Sequence, residues 1–318
     1  MGIWDRQEEY AGLPVFRFDL ERLDPETVAD LPALPAAGTA AWCVATREDE
    51  EPFGDVWDLF RTSVDTTEVT ALLIGDWGAE YGSGEQDGSY PAPILAAAAE
   101  SFPKLESLFF GEITAEESEI SWILHEDISP IFRAFPGLRR FDVRGSAELA
   151  FEPIRSDELK VLRFESGGLP ASVVESVVAS DLPNLEHLDL WLGVNGYGGD
   201  VSMDDLAPVL SGERFPSLRH LGLENAERQD EIAAAVASAP VVARLESLSL
   251  ARGMLTDAGA EALLSGQPLT HLRKLDLHHH FLTDAMMARL KEALPGVEID
   301  LGKQGDPEGS YFYVHVAE

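Results

Sequence analysis

Apolar residues recur along the chain in a short pattern, Leu-x-x-Leu-x-Leu, with Phe or Val replacing Leu in places. The segments begin at Val69 (VTALLIGDW), Leu105 (LESLFFGEI), Leu138 (LRRFDVRGS) and Leu159 (LKVLRFESG), then at Leu185 (LEHLDLWLG), Leu218 (LRHLGLENA), Leu245 (LESLSLARG) and Leu272 (LRKLDLHHH). Successive starts are 36, 33, 21, 26, 33, 27 and 27 residues apart. Self-similarity at such periods signals a repeat architecture. Within each segment polar and apolar positions alternate, as in a strand with one buried face.

Between these strands the apolar spacing becomes helical. It does so in PAPILAAAAESF from Pro91, LPASVVESVVASD from Leu169 and SMDDLAPVLSG from Ser202. RQDEIAAAVAS from Arg228, TDAGAEALLSG from Thr256 and TDAMMARLKEAL from Thr283 follow the same spacing. Several open on Asp, Ser or Thr, which cap helix starts. Repeated strand–helix alternation predicts a parallel sheet with right-handed crossovers, the strands lining the concave side of an arc and the helices its convex side. No unit can bury its own apolar edge, so each covers its neighbour. The 21-residue unit from Leu138 is too short for a full helix and predicts an irregular loop. Residues 1–64 are expected to form an N-terminal cap, with strands in LPVFRFDL and AAWCVAT and a helix in FGDVWDLFRTSV. Residues 65–296 are the repeats, and 297–318 a C-terminal cap with strands in GVEIDLG and YFYVHVAE, in one continuous domain.

The pattern resembles leucine-rich repeats of the long, ribonuclease-inhibitor-like type. Two units carry the likeness past the strand: Leu245, Leu248, Leu250, Leu255, Gly259 and Leu263 in one, and Leu272, Leu275, Leu277, Leu282 and Leu290 in the next. Met286 departs from it where that type has glycine. The asparagine of the ninth position is also missing: Gly167, Gly193, Ala226, Gly253 and His280 stand there, so its turn hydrogen bonds must come from other groups. The phrases EISWILHEDISP, SGGLP, LWLGVNGYGGD, DEIAAAVASAP and LDLHHH resemble an uncharacterised bacterial leucine-rich-repeat family common in actinobacteria, over nearly the whole chain. This resemblance implies the fold, an α/β solenoid with a right-handed βα superhelix. It brings no functional residues.

Charge narrows the partners. With 57 acidic and 23 basic residues the net charge is −34. Such a surface repels phosphate backbones, so neither nucleic acid nor an anionic membrane is expected as a partner. A basic protein partner fits, but solubility or salt adaptation, with no partner implied, is the favoured account of the charge. The one cysteine, Cys43 in AAWCVAT, reads as core and excludes an internal disulfide or a cysteine-based zinc site. No signal peptide, lipidation pattern or membrane-length apolar run is visible, so the expected location is the cytoplasm.

Strand register sorts the inward side chains into three columns. The first reads Ala71, Ser107, Arg140, Val161, His187, His220, Ser247, Lys274. The second reads Leu73, Phe109, Asp142, Arg163, Asp189, Gly222, Ser249, Asp276, and the third Gly75, Gly111, Arg144, Glu165, Trp191, Glu224, Ala251, His278. The middle of this face is polar. Arg140, Arg144 and Arg163 read as a positive island beside Asp142, Glu165, His187, Asp189, His220 and Glu224, with an exposed Trp191, a combination suited to a protein hot spot. The plainer reading is cross-strand charge pairing and nothing more. A second functional reading is a metal-dependent enzyme using His187, His220, Asp189 and Glu224. The triplet His278–His280 diverges, one ring on the face, one in the turn and one at the ninth position, so it does not read as a metal site. No G-x-S-x-G or other nucleophile motif is present. The Gly-rich loop Trp191–Asp200 reads as a flexible turn rather than a phosphate cradle, and Gly78–Pro93 as a mobile acidic loop. The long segment Glu112–Pro130 reads as a lid or as core around Ile120, Trp122, Ile123 and Leu124. The expectation is a non-catalytic protein-interaction module with no cofactor and no metal.

Overall fold

The repeated leucines form the spine. In the computed structural model, residues 3–18, 33–46, 52–78, 90–309 and 311–318 are described, so most of the loop expected at Gly78–Pro93 lies outside the described residues. The chain divides into two units, Met1–Ala150 and Phe151–Glu318.

The first unit runs β1 (Glu9–Tyr10), β2 (Leu13–Arg17), β3 (Ala41–Val44), α1 (Phe53–Ser63), β4 (Ala71–Ile74), α2 (Pro91–Ala97), β5 (Ser107–Phe110), α3 (Ser129–Ala134), β6 (Arg140–Arg144). β1 and β2 pair antiparallel, and β2 to β6 pair parallel in chain order. The second unit runs β7 (Val161–Glu165), α4 (Ala171–Ala179), β8 (His187–Gly193), α5 (Met203–Leu210), β9 (His220–Ala226), α6 (Gln229–Val236). It continues with β10 (Ser247–Ser249), α7 (Asp257–Ser265), β11 (Lys274–Asp276), α8 (Asp284–Ala293) and β12 (Glu298–Asp300). β7 to β12 are parallel in chain order. Both units are α/β and solenoid-like, each strand lying beside the next one in sequence.

In the second unit Leu162, Leu188, Leu221, Leu248 and Leu275 are partners across successive strands, and all are fully buried. Leu72, Leu108 and Phe141 play the same part in the first. Burying each such side chain contributes about 1.5–3 kcal/mol. The helices stack in order, α4 to α8 each against the next. Neighbouring rungs of the second unit are tied at the helix starts. Asp230 accepts from the backbone N and hydroxyl of Thr256 at 2.8 and 2.6 Å, and Asp257 does the same for Thr283 at 2.9 and 2.7 Å. These threonines are themselves the N-caps of α7 and α8, so one aspartate holds the next helix start.

The turn bonds of the missing asparagines come from other side chains. Gln229 accepts from Ala226 N at 3.3 Å and donates to Leu223 O at 2.9 Å. His280 accepts from Leu282 N at 3.1 Å through Nδ1 and lies 3.2 Å from Leu301 O through Nε2. At Gly193 (φ +70°) a Cβ would lie 2.0 Å from Gly167 O, so the ninth position there admits only glycine. Residues 145–160 contain no helix, as the short spacing predicts.

Three expectations need correction. The segment Glu112–Pro130 is not a lid: Ile113, Ile120, Ile123 and Ile128 are buried, α3 begins at its end, and Trp122 stands partly exposed. His125 within it is fully buried, with Nε2 2.8 Å from Arg144 O and Nδ1 3.1 Å from the Tyr90 hydroxyl. Burial pushes its imidazole down to about 4, so it is neutral near pH 7. The run YFYVHVAE is not a ladder strand. It is a non-helical run outside the ladder whose Val314 and Val316 are buried and whose backbone bonds to the Asn225 side chain in β9 and to the backbone of Arg252 after β10. Finally, Trp191 is 1% exposed, for reasons given below.

Candidate functional site

The predicted columns are the observed registers within each unit. In the first unit Ser107 pairs Arg140 and Phe109 pairs Asp142. The polar members here are used internally. Arg140 Nε lies 2.6 Å and Nη2 3.1 Å from the Asp142 carboxylate, which also accepts from the Tyr10 hydroxyl at 2.9 Å. The Arg140 guanidinium sits 4.8 Å over the Tyr10 ring. Arg144 donates to Ile113 O at 2.7 Å and lies 5.3 Å over the Phe109 ring. Asp142 and Arg144 are buried, and the partly exposed Arg140 is paired with Asp142, so these positions do not present the open positive island expected. Tyr10, Ala41, Cys43, Ala71, Leu73 and Phe109 form an apolar cluster on the same face. Burial, reinforced by Glu112, pushes the Cys43 thiol up to about 12, so it is protonated and inert.

In the second unit the first column is Val161, His187, His220, Ser247, Lys274 and Glu298, one residue per strand, none of them buried. The second column places Arg163 beside Asp189, and Asp189 beside Gly222. Asp189 is the hub. It meets His187 Nε2 at 2.7 Å, His220 Nε2 at 2.8 Å and Arg163 Nε at 3.0 Å. The two imidazoles stack, with centroids 3.9 Å apart and planes within 14°. Gly222 makes the room: a Cβ there would lie 2.0 Å from Asp189 Oδ1. Burial alone would raise the Asp189 carboxyl, but His187 and then His220 more than reverse it and hold it well below the usual carboxylate range.

The third column behaves differently. Glu165 pairs Arg163 at 2.9 Å, and Glu224 pairs Arg252 at 3.0 Å. Burial and the nearby Asp189 charge push the Glu224 carboxyl up, against the pull of Arg252. Arg252 also lies 4.6 Å over the Trp191 ring, which corrects the reading of Trp191 as an exposed anchor.

Sequence reasoning missed what holds Arg252. Asn225, Arg252 and His279 occupy the eighth position of three successive units, all with positive φ (58, 68 and 56°) and all buried. The C-terminal run crosses these three turns. Asn225 exchanges hydrogen bonds with the Val316 backbone, Arg252 O accepts from His315 N at 2.7 Å, and the His279 ring packs on Tyr313 at 5.4 Å. Burial, with Lys303 and Arg252 nearby, pushes His315 down to about 3. The signal that could have found this set was the recurrence of bulky polar residues at the eighth position.

The triplet diverges as expected. His278 bonds Asp276 at 2.7 Å, His279 enters the turn, and His280 serves the backbone.

Chemically, Ser247 Oγ lies 2.6 Å from His220 Nδ1, whose Nε2 meets Asp189, a hydroxyl–imidazole–carboxylate line. What acyl transfer also needs is a pair of free N–H groups for the oxyanion. Ser247 sits in a parallel strand, its own N–H donates to Arg219 O at 3.1 Å, and Leu250 N donates to Asp276 O at 2.9 Å.

With the geometry in hand, likeness to solved structures becomes informative. The crystal structure of a Bacteroides fragilis protein, a structural-genomics target, matches with a TM-score of 0.77 at 32% identity, over 86% of this chain and 76% of that one. The chain belongs to that protein's family. No protein-family model matches the chain, and no curated protein matches it. Family membership supports the α/β repeat fold and assigns no activity. Among the described residues no helix is long and apolar enough to cross a membrane.

Proposed function

We propose that the chain is a non-catalytic, cytoplasmic binding module of the leucine-rich-repeat type, its ends closed by caps, and that the polar sheet face of the second unit receives a protein partner. One observation carries this reading. Six neighbouring strands each present a partly or fully exposed side chain in one column, from Val161 to Glu298, while the residues just after them from Leu162 to Leu275 are fully buried. A ladder of this kind, fixed by parallel pairing at about 4.8 Å per strand, suits an extended or helical segment laid across it. Glu298, Asp276 and Asp300 give its far end a negative character, which suits a basic segment. The sheet-bound N–H groups around Ser247 support a binding rather than a catalytic role.

Val161→Arg and Lys274→Glu alter two rungs of the ladder at positions that tolerate polar groups. Each is expected to reduce partner recovery from a native lysate about tenfold, with the fold intact by circular dichroism. Glu292→Arg, exposed on α8, should leave recovery unchanged. Equal loss, or no loss, in all three variants refutes the assignment of this face.

A further inference from the structure

The pair of stacked imidazoles over one carboxylate is more than a salt bridge needs. His187 Nε2, His220 Nε2 and an Asp189 oxygen all lie within 4.8 Å of one another. Zinc bonded to such atoms at about 2.0–2.1 Å sets neighbouring ligand atoms about 3.3 Å apart. His187 Nε2 lies 2.7 Å from Asp189 Oδ2 and His220 Nε2 2.8 Å from Asp189 Oδ1, so each imidazole stands about half an ångström closer to the carboxylate than ligands on one zinc ion do. Parallel rings do not aim their lone pairs at one point, so one ring must tilt. Both can, with side chains 33% and 20% exposed. Arg163, 23% exposed, can swing from Asp189 to its other partner, Glu165.

We propose that His187, His220 and Asp189 form a binding site for a divalent transition-metal ion of the zinc class, with a fourth position open to solvent. Two imidazoles and one carboxylate select zinc-like ions over magnesium or calcium, which take oxygen ligands. Ser247 supplies the outer support. Its Oγ lies 2.6 Å from His220 Nδ1, placed to accept from Nδ1–H once Nε2 gives up its proton to bind the metal. Gly222 keeps the space beside the buried Asp189 clear. The cluster of Asp276, His278 and Asp300 is a poorer host: it has one imidazole, and the Lys274 ammonium lies 3.2 Å from Asp276. The site is independent of the binding reading above, since metal uptake and partner recovery can fail separately.

The full chain, freed of metal by chelator, is titrated with Zn2+ in calorimetry at about 0.15 M salt, which weakens diffuse attraction to the acidic surface. One ion per chain is expected, at micromolar affinity or tighter. His187→Asn and His220→Asn should each weaken it about tenfold or more. His271→Asn, whose ring bonds Val242 O elsewhere, should not. Excess Mg2+ should not displace the ion. Co2+ in the unaltered chain should give the visible bands of a four-coordinate site, a readout that survives any folding defect in the variants. Absence of a saturable site, uptake unchanged in the double histidine variant, or absence of those bands overturns the proposal.

Discussion

Asp189→Ala is expected to destabilise the second unit by about 3 kcal/mol, the low end of the cost of removing one partner from a buried ionic network. The low end applies because His187, His220 and Arg163 retain some access to water. The carboxylate serves all three, so its loss takes the shared acceptor from two imidazoles and one of the acceptors of Arg163, which keeps Glu165, in a poorly hydrated place. The sign of the pH dependence follows from the same contacts. The folded-state carboxyl titrates well below its unfolded value, so its contribution is complete above the ordinary aspartate range and is lost as pH falls toward the folded pKa. Urea unfolding of the two proteins should therefore differ most near pH 7 and converge in acid. Equal unfolding midpoints at pH 7 would show that the hub contributes nothing.

Asn225→Ala is expected to cost a similar amount, about 3 kcal/mol, through a different route. Asn225 is fully buried, donates to Ser166 O and Val316 O, and accepts from Val316 N. Each such bond contributes about 1 kcal/mol, and buried groups left unmatched cost more. Its φ of 58° adds to the loss, because asparagine tolerates the left-handed region better than alanine does. The consequence extends beyond stability. The run Tyr311–Glu318 loses its hydrogen bonds to Asn225, so limited proteolysis should cut it faster than in the unaltered chain. Unchanged cleavage would mean that the remaining contacts, the buried valines among them, hold the run in place.

The central strand register of both units was legible from leucine spacing, because a two-residue period admits one assignment once one face is apolar. The neighbourhood of His187, Asp189 and His220 followed directly, since adjacent rungs place equivalent positions side by side. Burial of Trp191 did not follow. It depends on Arg252, contributed by a rung 61 residues later in sequence, and on His315, which holds that arginine. Column logic treats every third inward position as open and has no term for a chain that crosses the turns. Helix α3 was hidden for a related reason. Its six residues, SPIFRA, are too few to show a helical period. Arg140, Asp142 and Arg144 were placed in the right columns, but their closure by Tyr10 and Ile113 comes from loop and hairpin contacts that spacing does not encode.

The most direct test of which side of each rung is open uses single new cysteines, since native Cys43 is buried and its thiol is pushed up to about 12. In the folded chain, cysteines at Val161 and Lys274 should react with maleimide at the rate of an accessible thiol, whereas cysteines at Leu162 and Leu275 should react only after unfolding. Rapid labelling at 162 and 275 with protection at 161 and 274 would contradict the account.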